Sequence, residues 1–337
     1  MAQKSGRRAS SAPREAMLAA VNAVLGDHLV ETANPLAITM RLRQDGETLP
    51  LSRDALAARF PQAGGKLLVL VHGLGMNDLQ WSSAGPDGLH DHGHMLAREA
   101  GYTVIRVHYN SGLHTAVNGA QLASLLEMLC LAWPRPVEQL TLLTHGAGGL
   151  VARSACQQGA LGLQTWRGSL KKMVFLGTPH QGVSADLLDG RIHQLLRAGL
   201  VTWPLAQLGN VRSAGMQALQ RGEILAPAAS DLVGAVPAVP LPLDVACFNV
   251  AAATGPRPLD EEASAQLQMG SGLLGDGLVP LASALGTHPD PARELTFSPE
   301  RQQVVWQTHH QALLHSPDVA AALRRWLGSD VAAGPVS

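Results

Sequence analysis

Cysteine, charge and long apolar runs are all scarce in this chain. Its three cysteines, Cys130, Cys156 and Cys247, lie scattered through 337 residues in the apolar contexts EMLCLAW, RSACQQ and DVACFNV. An odd, sparse set of this kind argues against a disulfide framework and predicts buried free thiols. Charged residues make up 15% of the chain and the formal net charge is −1. With a pI near 6.9, there is no footprint for nucleic acid or an anionic membrane. The basic residues are mostly Arg, scattered among Ala, Gly and Pro, which reads as plain composition. No apolar run approaches the ~18 uninterrupted residues that would predict a membrane span. The N-terminal MAQKSGRRASSAPREAM is basic, but no apolar stretch follows it. That argues against a secretory signal, and a soluble cytoplasmic protein is the expectation.

What is present is enough apolar material to bury a large core, 46% of the residues. The length fits one large α/β domain with an inserted cap, or two smaller domains. Residues 1–13 are polar, basic and Ser-rich and read as a disordered tail. Residues 14–64 read as a lead-in to the main fold. Met17, Ala20, Val21, Val24 and Leu25 recur at helical spacing over 14–32. PLAITMRLR, Asp45-Gly46 and ETLPL predict a β-hairpin, and Arg53–Phe60 a short helix.

A series of continuous apolar runs then begins: KLLVLV (66–71), TVIRVHY (103–109), LTLLT (140–144), KMVFLG (172–177) and DVACFNV (244–250). Such runs suit central parallel strands covered on both faces. Helical patterns separate the early ones, at His92–Ala100, Asn118–Ala132 and Gly149–Gln158. Strands alternating with helices predict βαβ units and a parallel sheet, an α/β fold class with helices on both faces. The rhythm breaks over 183–243, where helical pieces (Ile192–Leu200, Met216–Arg221) precede PAASDLVGAVPAVPLP. This stretch is expected to be a cap or lid inserted into a core of 65–182 and 244–328, because pockets in open α/β sheets lie beyond the strand C-termini. An ordinary packed insertion is the alternative. The last helix is expected over SPDVAAALRRWLG, with Ser316 as N-cap and Pro317 at its first position.

One side chain is missing where the pattern asks for it. LTLLTHGAGGLVA (140–152) runs from an apolar strand through a tight Gly-rich turn into a helix, the layout of a nucleophile elbow. The place of the nucleophilic serine, between His145 and Ala147, is held by Gly146, which has no side chain and cannot attack a substrate. An elbow residue is normally forced to a positive φ, which costs energy for any residue with a Cβ, so glycine sits there without strain.

Four segments in chain order resemble the lipase/esterase branch of the α/β-hydrolase family over roughly residues 65–328. LVLVHGLGMND (68–78) resembles the oxyanion loop, with the Leu74 N–H as a donor to the negative oxygen of a tetrahedral intermediate. LLTHGAGGLVARSA (142–155) resembles the GHSMGGLVA elbow, departing at Thr144 and Gly146, and implies Ala147 as the second oxyanion N–H. GDGLVPLASALG (275–286) resembles the acid-bearing loop, with Asp276 orienting a histidine; taken alone, Asp-Gly reads as a turn. WQTHHQALLHSPDV (306–319) resembles the histidine-bearing segment, with His310 matching best as general base and His309 and His315 as rivals. The order of elbow, Asp, His is that of α/β-hydrolases. VFLGTPHQG (174–182) looks like the strand-to-loop stretch after the elbow helix of many lipases. HYNSGLHTAVNG (108–119) looks like a motif of bacterial lipase-like relatives, including those grouped with inositol-lipid deacylases; no catalytic role falls to Ser111 or His114.

The resemblance implies a carboxylic ester hydrolase that works through an acyl-enzyme, with a small ester or lipid-like ligand and no cofactor or metal. His90, Asp91, His92 and His94 are the one tempting metal cluster, with His90 and His94 on one face if helical; a solvated loop is the plainer reading. Three readings of the missing serine stay open. The chain is a degenerate hydrolase that binds without turnover, or it carries an inactivating change at a position that is otherwise Ser, or another group such as Thr144, Ser154 or a water acts instead.

Overall fold

The computed structural model of the protein describes residues 12–85, 88–188, 190, 212–226, 239–258 and 275–328. Most of the predicted tail, the predicted helix Ile192–Leu200 and much of the 183–243 cap lie outside the described residues.

Helix α1 (Ala12–Glu31) begins two residues before its predicted start. The hairpin forms as expected, β1 (Arg41–Gln44) and β2 (Glu47–Thr48) turning on Asp45-Gly46. Helix α2 (Arg53–Arg59) is capped by Ser52, whose hydroxyl accepts from the Ala55 N–H. The core alternation follows: β3 (Lys66–Val71), a 3-10 turn at Asp78–Trp81, α3 (His92–Ala100), β6 (Thr103–His108), α4 (Thr115–Ala132), β7 (Gln139–His145), α5 (Ala147–Leu161), α6 (Trp166–Ser169) and β8 (Leu170–Leu176). A short hairpin, β4 (Ser83–Gly85) and β5 (Gly88–His90), precedes α3. After β8 come α7 (Ala214–Arg221), β9 (Ala246–Ala253), α8 (Leu281–Leu285), β10 (Gln302–Trp306), a 3-10 turn at His310–Leu314 and α9 (Pro317–Leu327).

The eight strands of the main sheet lie in the order β10-β9-β8-β7-β3-β6-β1-β2. The six from β10 to β6 are mutually parallel, and β1 and β2 add an antiparallel edge. Side chains alternate across this sheet, as strand geometry requires. Leu67, Val69 and Val71 point with Leu142 and Phe175 toward α4 and α5. Leu68 and Leu70 point with Leu143 and Val174 toward α3 and α9. Both faces are therefore covered, which is why the strands read as unbroken apolar runs. A third apolar cluster, with Leu74, Leu150, Leu219, Leu278 and Val279, lies around the turn that joins β7 to α5.

Helix α4 is the one described helix long and apolar enough by composition to cross a membrane, with a mean hydropathy of 1.2 over 18 residues. Its Leu122, Leu126 and Leu129 are fully buried in the core cluster shared with α5. Three strands, β4, β5 and β10, have no counterpart in the sequence reading. β10 reads QQVVW, too polar to register as an apolar run, and β4 is only Ser-Ala-Gly.

Candidate active site

The parallel strands deliver three loops to one end of the sheet. Strand β3 ends at Val71, and the chain turns through His72-Gly73-Leu74-Gly75. Two residues after β6 hold this turn. Tyr109 donates its hydroxyl proton to the His72 carbonyl at 2.8 Å, and its ring stacks on the imidazole at a centroid distance of 4.3 Å. Ser111 Oγ accepts from the Gly75 N–H at 3.0 Å. Burial holds the His72 imidazole down at about 3, so it is neutral under ordinary conditions.

At the end of β7 the chain reverses sharply into α5. Gly146 lies at φ 52°, ψ −126°, and its N–H is tied to the Leu176 carbonyl at the end of β8, 2.9 Å away. This is the sharp positive-φ turn of the elbow pattern, which would strain any residue with a Cβ and which glycine adopts freely. Ala147 is the first residue of α5, so its N–H is among those a helix start leaves without an intrahelical partner.

Asp276 and His310 meet over this turn. Asp276 is 1% exposed and His310 8%. Asp276 Oδ1 accepts from the N–H groups of Leu278 at 3.0 Å and Val279 at 2.8 Å. Its Oδ2 stands 2.6 Å from His310 Nδ1, and the His310 N–H donates to the Asp276 carbonyl at 2.9 Å. A carboxylate on Nδ1 fixes the tautomer with the proton there, leaving Nε2 as an acceptor. That Nε2 faces the elbow: a Cβ built on Gly146 would lie 2.8 Å from it and 3.3 Å from Cε1. His145 contributes a second tie, its Nε2 lying 3.0 Å from the His310 carbonyl, with the rings 4.4 Å apart. Gly177, at φ +57°, forms the floor; a Cβ there would press on Asp276 Oδ2 and His310 Cε1, both at 3.1 Å.

The cavity beside Gly146 measures about 10 Å³ and is bounded by Gly73, Leu74, Ala147, Leu278 and His310 among others. That is room for about one water.

The structure thus brings together Leu74, Gly146, Ala147, Asp276 and His310. Of the rivals, His309 is exposed, and His315 lines a separate cavity. Thr144 is fully buried and its hydroxyl donates to the Val174 carbonyl at 3.0 Å. Ser154 is buried inside α5, against Gly119. Burial pushes the thiols up, Cys156 to about 11 and Cys130 and Cys247 to about 12, so none is a thiolate near neutral pH.

The four residues of the tempting metal cluster border one cavity, but among the described residues no such group is arranged to hold a metal ion. His90 ends a strand, where a shared helical face with His94 was the premise. Asp91 caps α3 and pairs with Arg106 at 2.6 Å. His92 is buried with its Nε2 on the Leu313 carbonyl at 2.9 Å. Tyr109, Ser111 and Gly177 were not singled out from sequence as site residues. Their only signal was membership of the quoted motifs HYNSGL and VFLGTP.

The sheet order, the elbow turn and the Asp–His dyad define an α/β-hydrolase fold. No protein-family model matches the chain, and no curated protein matches it. Solved structures similar to it include the mature lipase BlEst2 of Bacillus licheniformis, at 19% identity and a TM-score of 0.46, covering 78% of this chain and 91% of that one. A thermophilic esterase of Thermogutta terrifontis shows 16% identity and a TM-score of 0.42, covering 88% and 95%. The Pyrococcus furiosus esterase Pf2001 shows 13% identity and a TM-score of 0.41, covering 78% and 84%. At such values these likenesses carry no weight about activity.

Proposed function

We propose that this chain carries the site of a carboxylic ester hydrolase of lipase/esterase type whose covalent nucleophile is missing. The observation that supports this reading is the position of His310 Nε2, held by Asp276 and aimed at the Cβ position of Gly146, 2.8 Å away. In this reading Leu74 and Ala147 supply the oxyanion N–H groups, and a small ester or lipid-like molecule is the ligand. Residues 183–243 act as the cap over it, and a cytoplasmic setting is part of this reading.

With Gly146 no acyl-enzyme forms. What remains is direct attack by water. His310 Nε2 takes the water proton as the oxygen bonds to the ester carbonyl carbon. The negative oxygen rests on the two N–H groups. Collapse then breaks the bond to the alcohol oxygen, which recovers the proton from Nε2. A serine triad lacking one member keeps a rate of roughly 10³–10⁴ over the uncatalysed reaction. Severe impairment is therefore expected.

A catalytically silent ligand-binding or interaction module is the second reading. One observation favours its interaction form: the cavity of about 10 Å³ has room for neither an acyl group nor a larger ligand.

The test compares hydrolysis of short- and long-chain p-nitrophenyl esters by this chain and by Gly146→Ser. The variant is expected to gain several orders of magnitude in kcat and to be labelled at residue 146 by a fluorophosphonate. No gain on any chain length, with the variant folded, sinks the hydrolase reading. Fast hydrolysis by the Gly form, or labelling of another serine in it, sinks the claim of a missing nucleophile.

A further inference from the structure

A second cavity, of about 280 Å³, opens between α3 and α9, away from the elbow. The hydrolase reading makes no use of it. Its wall carries the imidazoles of His90, His94 and His315 and the guanidiniums of Arg98 and Arg324.

The carboxylates nearby are already committed. Asp91 is held by Arg106 at 2.6 Å, by the Ser82 hydroxyl and by the His94 N–H at 2.8 Å. Glu99 takes two bonds from Arg324, at 2.7 and 3.2 Å, and one from Arg98 at 3.0 Å. Asp318, in the first turn of α9, is exposed. Of the remaining groups, His92 is turned inward onto Leu313. With the exposed Asp318 set aside, three guanidiniums, Arg98, Arg106 and Arg324, share these two carboxylates, which leaves one positive charge in excess beside the imidazoles of His90, His94 and His315. Among the described residues no group of His, Cys, Asp and Glu is arranged to hold a metal ion, so a cation does not explain the convergence.

We infer that this cavity is an anion site that takes a phosphate group, either inorganic phosphate or a small phosphomonoester. Its donors come from the end of β5, from α3 and from the turn before α9. Such a spread of directions suits a tetrahedral oxyanion better than a planar carboxylate. Partial burial and the neighbouring His90 hold the His315 imidazole below its ordinary value, so protonation and anion binding are coupled. Each proton the bound anion recruits tightens binding as the pH falls.

Binding is read by calorimetry and by NMR of the histidine ring protons, in chloride buffer of constant ionic strength. Inorganic phosphate, glycerol phosphate and acetate are compared at pH 6 and pH 8.5. Both phosphates are expected to bind saturably at pH 6, about tenfold or more tighter than at pH 8.5, with the ring signals of His90 and His315 perturbed and the titration of His315 moved upward. A preference between them separates free phosphate from a phosphorylated metabolite as the source. His315→Gln combined with Arg98→Gln is expected to weaken binding at least about tenfold, and Glu99→Gln to tighten it by releasing both arginines. His315 and Arg98 are exposed, so loss of the fold does not confound that variant. No saturable phosphate binding at pH 6, unchanged binding in the double variant, or acetate binding as well as phosphate overturns the inference.

Discussion

At Gly146 two effects act on any replacement side chain. The first is conformational: φ 52° with ψ −126° is a region that residues with a Cβ enter at a cost of ~1–3 kcal/mol. The second is steric: His310 Nε2 stands 2.8 Å from the Cβ position. The ring must retreat by roughly 0.5–1 Å to reach ordinary contact, and Asp276 restrains it. Alanine suffers both effects and gains nothing. Serine suffers both but can return a hydrogen bond to Nε2, worth ~0.5–1.5 kcal/mol. Stability in urea unfolding is therefore expected to fall in the order Gly, Ser, Ala at position 146. Equal stability of all three would mean that the turn relaxes and holds no strain, and the elbow geometry described here would be wrong. A further consequence is that Gly146→Ser recovers catalysis only if the dyad gives way without losing its own bond of 2.6 Å.

At the level of elements, the segment between β6 and α4 holds the loop after β3, the proposed oxyanion loop. Ser111 Oγ is the acceptor for the Gly75 N–H, one residue beyond Leu74. Removing it leaves a buried donor unpaired, at ~1–3 kcal/mol, and loosens the loop that aims the Leu74 N–H. An oxyanion donor is worth ~10²–10³ in kcat. In a Gly146→Ser background, Ser111→Ala is expected to lower kcat by about tenfold with little change in KM, and Ser111→Thr to restore most of it. A stability loss with kcat intact would make Ser111 structural only. This layer was hidden in the sequence. Apolar runs revealed β3, β6, β7, β8 and β9 because both faces of these strands are covered. β10 escaped because, at the sheet edge, four of its five residues are only partly buried. Asp276 and His310 were singled out by the resemblance of their two segments to a known family; that their side chains stand 2.6 Å apart, across 34 positions, is something spacing alone does not encode. The approach of Ser111 to Gly75 crosses 36 positions and depends on how two loops pack, which no local pattern encodes.

For the molecule as a whole, acid sensitivity follows from histidines buried as neutral rings. Burial holds His72 down at about 3 and lowers His92 and His180 as well. A folded value below the unfolded value of about 6.5 means that the unfolded chain takes up protons the folded chain refuses. The stability from these groups is complete above pH ~6.5 and declines as the pH falls toward the folded values, by up to about 1.4 kcal/mol per pH unit for each ring. Two buried carboxylates act lower down. Burial raises Asp78 and Asp91, but the His108 imidazole 3.0 Å away and Arg43 at Asp78, and Arg106 and Ser82 at Asp91, outweigh it and leave both below the ordinary carboxylate range. Their contribution is present above pH ~4 and is lost as the pH falls through their folded values. Urea unfolding in phosphate-free chloride buffer is therefore expected to be nearly flat from pH 8 to 7, to weaken clearly between 6.5 and 5, and to steepen below 4. Asp91→Asn separates the two causes. It retains a cap for α3 and removes the ion pair with Arg106, so it should cost stability at pH 7 and flatten the limb below pH 4, leaving the decline between 6.5 and 5 in place. A profile flat down to pH 5 would mean that these rings become charged without resistance, and so that the chain around the turn after β3 is far more open than His72 and its stacked tyrosine imply.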